Sequence, residues 1–222
     1  MKIVSPGHEI LFMPDGAEIL KCIELAGRTC YKSEDSITAD SAAGFVGRII
    51  RSGHHSVIEH MSITVRFICD RGVSHELVRH RLAAYSQEST RYANYSKDRF
   101  GNEIQVVRPC FWEEGGAAWN QWVCAMEAAE RAYMDLLAAG ARPEQARSVL
   151  PNSLKTEVVM TANLREWRHV IGIRADGAAH PQIREIMIPL LHDLAGRIPV
   201  VFDDLRERFK AGCVPAAANA SG

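Results

Sequence analysis

Charge of one sign is what this sequence lacks first. Its 26 lysines and arginines stand against 27 acidic residues, a formal net charge of −1. Without a cationic surplus a chain does not coat nucleic acid through bulk charge. With 47% apolar residues and so little self-repulsion it is not driven to disorder either. Long hydrophobic runs are missing too: nothing approaches the roughly 20 apolar residues that a membrane span needs. The opening MKIVSPGHEI has neither a long apolar stretch nor a small-residue cleavage site, so a secretory signal is not expected. No CxxC pair occurs. Cys22, Cys30, Cys69, Cys110, Cys124 and Cys213 are scattered, and a chain of 222 residues can bury a core without disulfides. Reduced thiols and a cytoplasmic location are the expectation.

What is present reads as one domain over residues 1–210, followed by a small, polar tail at 211–222 that is expected to fray. Strands are expected at Met1–Ser5, Ser62–Cys69, Ile104–Val107 and Lys155–Ala162. The second alternates Ile63, Val65 and Phe67 against Thr64, Arg66 and Ile68. Helices are expected from Asp15 to about Ala26, after Asp40 as N-cap, from Ser74 through Leu82, over Trp119–Leu137, from Pro143 to about Leu150, and over Arg165–Ile173 and Pro181–Ala195. Gly53 would end the helix after Asp40. Strand and helix do not alternate regularly, which favours an α+β fold over a wound parallel sheet.

The neutral chain holds one local surplus. Residues 66–99 carry seven cations (Arg66, Arg71, Arg79, Arg81, Arg91, Lys97, Arg99) against Asp70, Glu76, Glu88 and Asp98. Its centre is Arg79-His80-Arg81. Arginine forks grip phosphates through paired hydrogen bonds. Ser86, Ser89 and Thr90 add hydroxyls, and Gln87 suits the amide-like edge of a base. On a helix, Arg79 and Arg81 would lie about 200° apart, which suggests two ligands or two subunits. The bland reading is a solvated helix face with Glu76 and His80 as an i, i+4 pair. A second cluster, residues 52–60, holds His54, His55, His60 and Glu59. Its spacing matches neither HExxH nor HxxEH, so no metal is expected, and a turn presenting His54 and Ser56 to a ligand fits better. Arg147 follows Pro143 in a short helix. Asn163 is placed to cap a helix that carries Arg165 and His169 on one face and ends at Arg174, where a cation also complements the helix dipole.

Arg79-His80-Arg81, seven residues and then Ser89 resembles the signature of the flavin-dependent thymidylate synthases. So do the Gly-His-x-Ser-x-x-Glu-His pattern from Gly53, Arg91-Tyr92, Ala146-Arg147-x-x-Leu150-Pro151, Asn163 and Arg174-Ala175-Asp176, in order over roughly residues 53–183. The resemblance implies helices around a small, mostly antiparallel sheet in an intertwined homotetramer with shared active sites. It implies reductive methylation of dUMP to dTMP, with 5,10-methylenetetrahydrofolate as carbon donor, NADPH as reductant through FAD, and tetrahydrofolate as folate product. It places Glu76, Leu77, Val78, Arg79, Gln87, Glu88, Ser89, Thr90, Arg91, Arg147 and Arg174 at dUMP. It places Ser56, Arg79, His80, Arg81, Gln87, Asn163, Arg165 and His169 at FAD. Arg174 would activate the uracil, and His54 would lie near the flavin and influence catalysis. Gln87 stands where some members carry glutamate, and His169 where some carry asparagine. Around Gly177–His180 the match is loose, and His180 receives no role.

Pro109-Cys110 is similar to the nucleophile segment of the unrelated cysteine-dependent thymidylate synthases, but Phe111 follows where those have histidine. Only Arg108 is an adjacent cation, and a reactive thiolate needs more help. Cys110 is therefore read as structural, with no covalent enzyme nucleophile. Two rival readings remain at this point. One is a nucleic-acid module stacking bases on Tyr85, Tyr92 and Tyr95. The other is a catalytically idle oligomerisation protein that kept the fold.

Overall fold

The alternation at residues 62–70 produces the central strand. In the computed structural model, which describes residues 1–210, Ile63, Val65 and Phe67 are fully buried on one face of strand β3 (Ser62–Asp70). Strand β6 (Lys155–Asn163) pairs antiparallel with it from Ser62 opposite Asn163 to Asp70 opposite Lys155. Strands β2 (Gly7–Phe12) and β4 (Ala83–Gln87) complete an antiparallel sheet of order β2-β3-β6-β4. A separate parallel pair joins β1 (Lys2–Val4) to β5 (Gln105–Val107). The fold is thus α+β around a small antiparallel sheet. The residues expected to fray, 211–222 with Cys213, lie outside the described part.

Helices cover one face of that sheet. Helix α1 (Gly16–Thr29) starts where the Asp15 carboxylate accepts from Ala17 N at 2.9 Å. It packs on α2 (Ser41–Arg51) so closely that a Cβ on Gly27 would come within 2.7 Å of the Phe45 ring. Asp40 sits at the N-cap of α2, as expected, but makes no side-chain cap bond. Gly53, at φ +73°, turns the chain out of that helix into a 3-10 segment, His55–His60. Helix α4 (Ala117–Ala138) stands against β1 and β5 with Trp119, Trp122, Met126 and Tyr133 buried. After it, Pro143 opens α5 (Pro143–Ala146), which continues as a 3-10 turn, Arg147–Val149. Helices α6 (Leu164–Arg174), α7 (Pro181–Arg197) and α8 (Pro199–Arg208) close the main core around Trp167, whose indole N–H donates to Ile63 O at 3.0 Å.

One expected helix is overturned. Helix α3 runs Arg71–Leu77, not from Ser74 through Leu82. Asp70 caps it, accepting from Val73 N at 2.7 Å, while Ser74 sits inside and donates to Arg71 O. The chain then turns and becomes β4, because Ala83, Tyr85 and Gln87 alternate and their backbone pairs with β6. Arg79 and Arg81 therefore do not lie on a helix, and the 200° helical separation does not apply. Glu76 and His80 are not partners either: Glu76 pairs with Arg174 at 2.6 Å. Strands β2 and β4 and helix α8 are additions to the sequence-based expectation.

Candidate active site

The end of α6 meets the end of α3. Asn163 caps α6, accepting from Glu166 N at 2.9 Å. Arg174 is the last residue of the helix, and all three of its nitrogens are engaged. Nε donates to His80 Nε2 at 3.0 Å, Nη1 to Glu76 Oε2 at 2.6 Å, and Nη2 to Glu76 O at 3.1 Å. His80 is buried between exposed Arg79 and Arg81. Burial, with the Arg174 charge and His169 beside it, lowers its pKa from the usual 6.5 to about 4, so the ring is neutral and free to accept. Accepting at Nε2 places the proton on Nδ1, which lies 3.9 Å from Glu166 Oε1. The His169 ring stands edge-on to that of His80, with centroids 5.8 Å apart.

Tyr85 fixes the turn between α3 and β4. Its hydroxyl lies 2.8 Å from Leu77 O and 2.7 Å from His80 O, sharing one proton between the two carbonyls. Burial, with Glu166 nearby, pushes the phenol up to about 12, so it stays protonated. Leu77 is buried in the core and Val78 is exposed beside it.

Three of the expected cofactor residues gather at the other end of α6. Arg165 donates to Glu59 at 2.6 Å, tying the helix to the 3-10 segment that bears Ser56. His54 is exposed at the start of that segment, with no side-chain cap bond. Further along α6, His169 stands against His80, which lies in sequence between Arg79 and Arg81, two exposed residues without an ion pair among the described residues. Forked donors of this kind suit the diphosphate of a dinucleotide such as FAD, so the donor set fits the group.

The Gln87–Arg91 segment leaves the end of β4, tied to α3 and β6. Gln87 donates to Ser74 Oγ at 2.9 Å and Thr156 Oγ1 at 3.2 Å. Glu88 holds Tyr95 Oη at 3.1 Å and Lys155 Nζ at 3.3 Å beside a cavity of about 440 Å³. Ser89 Oγ accepts from Arg91 N at 3.3 Å, and the Arg91 guanidinium lies over Tyr92. Thr90 is buried and accepts from Arg147 Nη1 at 3.3 Å, lining a second cavity of about 440 Å³. One chain therefore brings Arg174, Glu76, His80 and His169 together, and likewise Thr90 and Arg147.

Sequence reasoning missed three supports. Tyr85 and Glu166 hold His80 from either side, and Lys155 neutralises Glu88. A tyrosine opposite β6 was legible only once the 83–87 stretch was taken as a strand. His180 caps α7, accepting from Gln182 N at 3.4 Å. Cys110 is half-buried, and burial with Glu185 beside it pushes its thiol up to about 11. That is the wrong direction for a nucleophile at neutral pH.

Residues 15–200 match the family described as thymidylate synthase complementing protein. The flavin-dependent thymidylate synthase of Mycolicibacterium vanbaalenii is 38% identical over 208 residues, covering 86% of this chain and 80% of that protein. Its counterpart in Geobacter sulfurreducens is 34% identical over 189 residues, covering 82% and 80%. A UMP/dUMP methylase from Streptomyces cacaoi, solved with 5-Br dUMP, shares the fold at a TM-score of 0.73 and 24% identity, covering 97% of this chain and 100% of that one. On the extent of the family match and the identity to these relatives, the chain belongs to the flavin-dependent thymidylate synthases.

Proposed function

We propose that this chain converts dUMP to dTMP by reductive methylation in the cytoplasm, with residues 1–210 acting as one catalytic unit. When bound, FAD supplies the hydride chemistry, with NADPH as reductant and 5,10-methylenetetrahydrofolate as carbon donor, leaving tetrahydrofolate. The observation that carries the reading is the anchoring of Arg174 by Glu76 and His80 in a member of this family.

Uracil C5 is a poor nucleophile, and Cys110 is no activated thiol. Arg174 supplies the alternative. A guanidinium at the pyrimidine edge stabilises negative charge as N3 ionises or as charge spreads to the carbonyls. Held at three nitrogens, it is oriented before the substrate arrives, which is the condition for strong electrostatic stabilisation. Its Nη1 and Nη2 each keep a second N–H for the ring. Glu76, Leu77, Val78 and Arg79 border the base. Ser89, Thr90, Arg91 and Arg147 clamp the phosphate, with Gln87 and Glu88 toward the sugar, and that binding energy aligns the ring. Arg79, His80, Arg81, Gln87, Ser56, Asn163, Arg165 and His169 would hold FAD, with His54 near it.

From the family resemblance we also infer a homotetramer whose active sites are shared between neighbouring copies. The deciding experiment reduces the FAD-loaded protein with NADPH and reoxidises it with dUMP plus methylenetetrahydrofolate, with dTMP assayed. Flavin reoxidation coupled to dTMP is the expected result. A protein that takes up no FAD, or forms no dTMP, refutes the assignment.

A further inference from the structure

The cavity beside Thr90 and Arg147 contains an arginine that the family signature leaves without a role. Arg71 opens α3 and lines that cavity together with Thr90, Glu144, Arg147, Ser148 and Asn152. Its backbone is fixed: Arg71 N donates to Asn152 O at 2.9 Å and to Leu154 O at 3.1 Å, tying it to the segment that follows Arg147.

The guanidinium is less settled. It is half-buried, and Nη1 is sealed from solvent without a hydrogen-bond partner. No ion pair reaches it among the described residues. The neighbouring carboxylate, Asp70, is already committed, accepting from Val73 N at 2.7 Å and Gln182 Nε2 at 2.6 Å. Glu144, the carboxylate on the cavity wall, is held by Arg142 at 2.8 Å. A partly buried cation with no counter-ion is costly, and an anionic ligand would offset that cost. Two guanidiniums with the hydroxyls of Thr90 and Ser148 form a donor set for a tetrahedral dianion.

We propose that Arg71 binds the phosphate of the nucleotide substrate directly, as a partner to Arg147, so that it sets the enzyme's preference for the monophosphate over the free nucleoside. This rests on the dUMP reading above. It is tested by titrating dUMP and 2′-deoxyuridine into FAD-loaded parent, Arg71→Gln and Arg71→Lys proteins. Arg71→Gln should weaken dUMP by at least about tenfold, the scale of one charge-assisted hydrogen bond, and leave deoxyuridine unchanged. Arg71→Lys should recover part of the loss, and inorganic phosphate should compete with dUMP in the parent more strongly than in Arg71→Gln. If Arg71→Gln does not fold, a selective loss of dUMP affinity in Arg71→Lys supports the proposal. Unchanged dUMP affinity, or equal loss for both ligands, overturns it, as does failure of both variants to carry FAD, which marks a structural role. A parent that does not bind dUMP refutes the functional reading itself, whereas a parent that binds it with a silent Arg71 refutes only this assignment.

Discussion

Arg174 Nε donates to His80 Nε2 at 3.0 Å, a bond that exists only while the imidazole is neutral. The relationship joins the centre of the signature triplet to an arginine 94 residues away. His80→Phe removes the acceptor and leaves a guanidinium N–H aimed at a ring edge. Turnover should fall about 10- to 100-fold, the scale of one hydrogen bond to a charged group. His80→Gln, which can accept through Oε1, should recover part of it. Arg174→Ala should cost on the order of 10²–10³ in turnover and leave flavin absorbance nearly intact. Steady-state dTMP formation on proteins of matched flavin content checks all three. Parent-like turnover in Arg174→Ala would remove its role.

His80 also gives the fold a pH signature. Its pKa is lowered to about 4 in the folded chain, against 6.5 when exposed. Above 6.5 both states carry a neutral ring and the residue contributes no pH dependence. Between 6.5 and 4 the unfolded chain binds a proton that the folded chain refuses, so stability falls as pH drops through that window and levels off below it. Urea unfolding at pH 7, 5.5 and 4.5 should show this decline in the parent and a shallower one in His80→Gln. Identical slopes would mean that the ring is solvated.

Cys110→Ala should leave dTMP formation unchanged. Its thiol is pushed up to about 11 by burial and by Glu185, so almost none is thiolate at neutral pH. A folded, flavin-loaded variant without activity would bring back a covalent mechanism.

Trp167 is fully buried, tilted against Phe67 at 6.2 Å, and donates to Ile63 O. Trp167→Ala opens a cavity between α6 and β3 and leaves that carbonyl unpaired. A loss of about 3–5 kcal/mol is expected from chemical denaturation.

Some of this was legible in the sequence and some was not, for physical reasons. The period-2 run Ile63, Val65, Phe67 has to bury one face, so β3 could be read from it directly. Asn163 before an apolar 3.6-residue pattern marked α6 as clearly. The 74–82 stretch misled because Leu77, Val78 and Leu82 mimic a helical face. The decisive partners are distant: β6 recruits Ala83–Gln87 by backbone pairing, which side-chain spacing does not encode. The same distance hid the site's supports. Arg174 could be read as a helix-terminal charge, yet its partners Glu76 and His80 depend on how α3 meets α6. Arg71 stood in plain view within the basic cluster. Nothing local distinguishes an arginine on a solvated face from one whose Nη1 is sealed without a partner.

Helix α6 runs from Leu164, next to its cap at Asn163, to Arg174, eleven residues that span about 16 Å. One end carries groups assigned to the flavin and the other the arginine assigned to the uracil. The helix thus works as a ruler whose markings are turns. Adding a single residue at its middle would lengthen it by only about 1.5 Å but swing Arg174 through roughly 100°. The enzyme would lose its aim together with the packing of Val170 and Ile171, which are buried beyond the insertion.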